Sequence, residues 1–156
     1  MKFKRFATMF LVMIMIFSCL AISASAAGVQ PYNNCEDTAF SFNFSNWGRS
    51  NTGGRDKQDA SGTYIYAENM CSGGFDVFVD GLDTVKGEWV DCTDRETRGQ
   101  PRLSEKEKPS LIAQKVCENG YRTARLGGYK PLAFYTVNGV WSPDSVGNIR
   151  YLNSDT

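Results

Sequence analysis

The chain contains no histidine. A Ser-His-Asp triad and a Cys-His nucleophile pair both need an imidazole to take the proton, so both are excluded. Positive charge is not in excess either: 17 Lys and Arg stand against 17 Asp and Glu. Without a basic surplus there is no electrostatic footprint for a phosphate backbone, and nucleic acid is not expected as a partner. Long apolar runs are lacking except at the start, where Lys2, Lys4 and Arg5 precede an apolar block from Phe6 to Ile22 and the small residues Ser23-Ala24-Ser25-Ala26-Ala27. A basic region, an apolar block and an Ala-x-Ala site in that order read as a secretory signal peptide over residues 1–26, cut after Ala26 or one residue later. At about 17 residues the block is at the short edge for spanning a bilayer, which argues against an uncleaved anchor. The bulky Phe17 near Cys19 argues against lipid modification there. Expected localisation is therefore secreted and extracellular, with no stable membrane anchor after cleavage.

Cleavage removes three basic residues and no acidic one, leaving 14 against 17 and a mildly acidic chain over residues 27–156. About 130 residues suit a single domain, and 16 aromatic residues beyond Pro31 can supply its core. Cys19 leaves with the signal, so Cys35, Cys71, Cys92 and Cys117 remain. An even set in an exported chain reads as two disulfides. Gaps of 36, 21 and 25 residues, with no histidine, do not match clustered zinc ligands. No metal site and no cofactor is expected.

Period-two apolar spacing at Phe40, Phe42 and Phe44 predicts a strand. Residues 46–57, rich in Gly, Asn, Ser and Thr, predict an open loop. Thr63–Ala67 is β-branched and aromatic and predicts a second strand. Between Phe75 and Val90 the alternation predicts a hairpin turning at Gly81-Leu82-Asp83, with Val79 opposite Val85 and Phe75 opposite Trp89. That register puts Trp89 in the core and Asp76, Asp80 and Glu88 on a solvated face. Extended outward, it brings Cys71 beside Cys92, which leaves Cys35 with Cys117 by elimination. The mixed-charge stretch 93–110 predicts a solvated, mobile loop. Residues 111–119 fit a strand or a capped helix, with the strand favoured; apolar runs at 121–126 and 132–141 follow. Six to eight short strands predict an all-β fold, an antiparallel β-sandwich that is disulfide-bonded.

Three stretches together carry a family resemblance: Gly54-Arg55-Asp56-Lys57 leading into Ser61-Gly62-Thr63-Tyr64-Ile65-Tyr66; Glu118-Asn119-Gly120-Tyr121 with Ala124-Arg125-Leu126-Gly127-Gly128; and Val137-Asn138-Gly139-Val140-Trp141-Ser142-Pro143-Asp144-Ser145. They resemble small secreted proteins of Gram-positive bacteria that have no known function. The resemblance implies export and a β-rich fold and transfers no functional residue; residues 93–110 do not match it.

No catalytic residue is assigned. With histidine absent, paired carboxylates are the remaining hydrolytic chemistry, and Asp76, Asp80, Glu88 and Asp91 form the nearest cluster for a glycan-active enzyme. Asp91, Asp94 and Glu96 lack the Gly and spacing of a calcium loop. Arg55 and Lys57, after Gly53-Gly54, suit an anionic ligand, and Trp47 is the tryptophan placed for exposure to sugar rings. The leading expectation is a binding or cell-surface module with an extracellular or cell-wall partner. A bacteriocin-like antibacterial effector and a carboxylate-based glycan-active enzyme are the alternatives.

Overall fold

Apolar side chains that alternate along an extended chain bury one face of a sheet and leave the other outward. A computed structural model of the chain describes residues 34–45, 49–131 and 134–152, so the expected signal peptide, Cys19 and Trp47 lie outside the described residues. In chain order the elements are β1 (Thr38–Ser45), β2 (Arg49–Asn51), β3 (Arg55–Asp56), β4 (Thr63–Ala67), β5 (Phe75–Asp83), β6 (Glu88–Asp91), α1 (Arg95–Arg98), β7 (Arg102–Leu103), β8 (Ser110–Ile112), β9 (Thr123–Tyr129) and β10 (Phe134–Ser142). One sheet has the order β1-β10-β4-β8; the other runs β2-β9-β5-β6, with β3 also on β9 and β7 also on β5. All these strand pairs are antiparallel.

The fold is all-β. The ten strands among the described residues exceed the six to eight expected because β2, β3 and β7 have only two or three residues. Periodicity does not register in so short a run.

Both sheets contribute to one core. Phe40, Phe42, Phe44, Ile65, Val137 and Trp141 from the first meet Phe75, Val77, Val79, Leu103, Ala124 and Leu126 from the second. Phe42 and Phe75 meet edge to face across the layers, with ring centroids 6.0 Å apart. Close approach depends on Gly128, where a β-carbon would come within 2.8 Å of the Phe42 ring.

The hairpin register differs from the expected one. Leu82 faces Trp89, and Asp80 faces Asp91. β5 runs straight through Gly81, and the turn falls at residues 84–87, where the Asp83 carboxylate accepts from the Val85 and Lys86 amides and Gly87 takes φ +71°. An odd displacement of register exchanges the faces. Trp89, expected in the core, therefore sits half-buried on the outer face of the six-stranded sheet.

The same change separates the cysteines expected to pair. Cys71 Sγ lies 3.5 Å from the Gly74 carbonyl, just before β5, whereas Cys92 Sγ packs against Gly81 near the far end of that strand. At roughly 3.3 Å per residue, about 20 Å of strand lies between them, well beyond disulfide reach. Cys35, Cys71, Cys92 and Cys117 are all free thiols in this structure.

The stretch 93–110 is also more ordered than a solvated loop. Asp94 caps α1 through Thr97, the Pro101 carbonyl accepts from Val77 N at 3.0 Å, and Leu103 is buried opposite Phe75. Exposed residues fall at 95–98, 104–107 and 109.

Candidate functional site: a charged face of the six-stranded sheet

Val77 and Val79 of β5 point into the core, so Phe78 and Asp80 point the other way. Solvent should reach both. Yet Phe78 is 2% exposed and Asp80 1%. Their cover comes from arginines on neighbouring elements. The Arg49 guanidinium from β2 lies 3.5 Å from the Phe78 ring centroid, and Arg125 from β9 lies 4.4 Å from that of Trp89. Guanidinium planes stack well on aromatic faces and keep their in-plane donors available. Gly127 makes room: a β-carbon there would lie 1.9 Å from the Phe78 ring.

The donors go to two carboxylates. Arg125 donates to Asp80 Oδ2 through Nε at 2.9 Å, and its Nη2 makes an ion pair with the same oxygen at 2.9 Å. Arg49 Nη2 donates to Asp91 Oδ2 at 3.0 Å, while its Nη1 stands 3.7 Å from Asp80 Oδ1. Arg95 of α1 donates to Asp91 Oδ2 at 2.7 Å and to Gln100 Oε1. Asp80 Oδ1 is thus buried with no hydrogen-bond partner. Leaving a buried acceptor unmet is costly, which makes this atom the unusual one of the face. Partial burial acts to raise the Asp91 carboxyl, but hydrogen bonds from Arg95, Thr93 and Arg49 outweigh it and hold the group below the ordinary carboxylate range.

The four carboxylates named from sequence are only partly assembled. Asp80 and Asp91 are cross-strand neighbours, whereas Asp76 pairs with Arg102 at 2.7 Å and Glu88 faces Asp83 at the hairpin end. Asp94 and Glu96, considered with Asp91 for calcium, both lie against Lys115, at 3.3 and 2.8 Å. Among the described residues no three His, Cys, Asp or Glu side chains are grouped to hold a metal.

Arg55 and Lys57, the basic pair expected to meet an anionic ligand, are turned inward. Arg55 donates to the Glu36 carbonyl and to Asn34 Oδ1. Lys57 is 1% exposed, and its Nζ donates to Asp144 Oδ1 at 2.6 Å and to the Ser61 carbonyl at 2.7 Å. Asp144 also accepts from the backbone amides of Asn34 and Gln58, at 2.5 and 3.0 Å. Every charge of this pair is met from within, so it ties three chain segments together. Burial acts to raise the Asp144 carboxyl, and the Lys57 and backbone hydrogen bonds overcome it, leaving the group lowered. Cys117 Sγ sits 3.0 Å from the Asp59 carbonyl beside this node, and Cys35 directly follows Asn34.

Two clefts among the described residues are small. A cleft of about 140 Å³ is lined by Cys35, Tyr64 and Val146, and one of about 240 Å³ by Asp94, Arg98 and Tyr151. Small-molecule pockets usually hold about 300 to 1,000 Å³. No helix among the described residues is long and apolar enough to cross a membrane.

Sequence reasoning named Asp80 and Asp91 but missed Arg49, Phe78 and Arg125. Phe78 carried a signal, as an aromatic out of phase with Val77 and Val79. The arginines carried none, because their meeting depends on three strands from distant parts of the chain.

The model of a family described as "protein of unknown function (DUF2712)" matches residues 22–145. No curated protein and no solved structure matches the chain.

Proposed function

We propose that this chain, which belongs to the DUF2712 family of proteins of unknown function, is a secreted protein that acts by binding an extracellular or cell-wall partner through the outer face of its six-stranded sheet. The observation that carries this reading is Asp80 Oδ1, buried without a hydrogen bond beneath two arginines stacked on Phe78 and Trp89. Arg49 covers it with a side chain that is 43% exposed. A ligand hydroxyl or ammonium that moves Arg49 aside meets an acceptor already stripped of solvent, so little desolvation is left to oppose binding. Sugar hydroxyls beside an aromatic ring fit that chemistry.

Binding is favoured over turnover for a reason at the same place. A glycosidase pair needs one carboxylic acid kept protonated near neutral pH. Asp91 is shifted the opposite way, so it does not supply that acid. In the oxidising space outside a cell, Cys35 and Cys117 are the pair that this reading joins, because both border the Lys57–Asp144 node.

Sedimentation with isolated Gram-positive cell walls tests the proposal, using protein purified after expression of the whole chain. Wild type is expected in the pellet. Trp89→Ala and Arg49→Ala, checked by circular dichroism, are expected to remain in solution. Wall binding unchanged in both variants rules out this face, and killing of indicator cells without wall retention favours the antibacterial effector.

A further inference from the structure

We propose that β1 is an open sheet edge that pairs with β1 of a second copy of this chain, antiparallel about a two-fold axis, joining two four-stranded sheets into one of eight. Among the described residues β1 ends its sheet and pairs on one side only, with β10, in an unbroken register over all eight of its residues, Thr38↔Trp141 to Ser45↔Phe134. Among the described residues no hydrogen bond reaches its other side. Alternate N–H and C=O groups along that side therefore face outward, as on any edge strand.

Other edges in this molecule are protected. The Arg150–Leu152 segment covers β8, with Leu111 N donating to the Arg150 carbonyl at 2.9 Å and Leu152 N to the Leu111 carbonyl at 2.7 Å. β6 has four residues, two of them the carboxylates Glu88 and Asp91. β2 and β3 have three and two residues, with Arg49, Arg55 and Asp56 among them, and β7 has two, one of them Arg102. Short length, charge and a covering segment are the usual ways of blocking an edge. β1, Thr-Ala-Phe-Ser-Phe-Asn-Phe-Ser, has no charge, no proline and no bulge, and no segment among the described residues covers it.

Its pattern also selects its own copy. Antiparallel partners must keep core-facing residues opposite core-facing residues. With Phe42 on the two-fold axis, Phe40 stands opposite Phe44 of the second copy, Ser41 opposite Asn43, and Ala39 opposite Ser45. Phenylalanine meets phenylalanine, small neutral residues meet one another, and no like charges are opposed. Phe40, Phe42 and Phe44 are already at most 4% exposed, so pairing adds main-chain hydrogen bonds and little apolar burial. An association of this kind is weak and concentration-dependent.

Sedimentation velocity over a concentration series tests it. The wild-type protein is expected to rise to twice the monomer mass. Ser41 and Asn43 point to solvent, so S41K/N43K leaves the core intact while opposing lysines across the axis; its dissociation constant should rise about tenfold or more. S41T/N43T, which adds no charge, should associate like wild type. Wild type that stays monomeric throughout, or S41K/N43K that dimerises as well as wild type, overturns the proposal. Should S41K/N43K misfold, hydrogen exchange on wild type decides: β1 amides whose protection does not change on dilution are incompatible with the pairing.

Discussion

Lys57 and Asp144 are the side chains in which burial and charge conflict most directly. A lone charge inside the fold is costly, whereas a charge met by an opposite partner and by backbone groups is tolerated. Asp144 draws on Asn34 and Gln58 amides as well as Lys57 Nζ, and Lys57 adds the Ser61 carbonyl. Lys57→Met is therefore expected to lower unfolding free energy by about 3 to 5 kcal/mol, since it strands the carboxylate. K57M/D144L removes both charges and should recover part of that loss. Urea denaturation of the two variants measures it; equal losses in both would mean that the pair is not a unit. Neither residue reads as interior in the sequence, where a lysine and an aspartate in turn-rich segments are ordinary surface residues. Only the meeting of segments 87 residues apart places them together.

At the level of single elements, β1 and β4 followed directly from their alternation, and their observed bounds enclose the predicted residues. The β5–β6 hairpin did not, because Gly81-Leu82-Asp83 has the composition of a turn. Gly81 is instead a strand residue whose missing side chain is filled from elsewhere: a β-carbon there would lie 2.6 Å from the Tyr121 ring and 3.1 Å from Cys92 Sγ. Tyr121 is distant in the chain, so no local pattern reveals this need. Gly81→Val should accordingly cost about 1 to 3 kcal/mol by overpacking, despite valine's preference for strands. A lowered urea midpoint with an unchanged slope is the expected result; a midpoint at or above wild type would show that the strand and its neighbours yield freely. The position of the turn also places Trp89 on the outer face and Cys71 away from Cys92, since both expectations depend on its register.

For the whole molecule, two sheets closed over one core leave their outer faces to charge, and those charges set its response to acid. Asp91 and Asp144 both sit below the ordinary value of 3.8. A carboxyl lowered by folding stabilises fully at pH well above its unfolded value. As pH falls below about 3.8, the unfolded chain takes up protons first, and the contribution is lost as pH passes down through the lower folded values. Thermal unfolding should thus vary little through these two groups from neutral pH to about 5, then fall steeply below about pH 4. Asp91→Asn should flatten part of that fall; an acid limb identical to wild type would assign the loss to other groups. By itself the sequence determined the all-β class and the strands with clear alternation, because period two is a local property of consecutive residues. It also supplied the carboxylates Asp80 and Asp91, though not their adjacency. Tertiary structure alone decided the hairpin register, the burial of Lys57 and Asp80, the separation of Cys71 from Cys92, and the stacking of Arg49 and Arg125. Each of these depends on contacts between segments far apart in the chain, where volume, hydrogen bonding and charge must be satisfied at the same time.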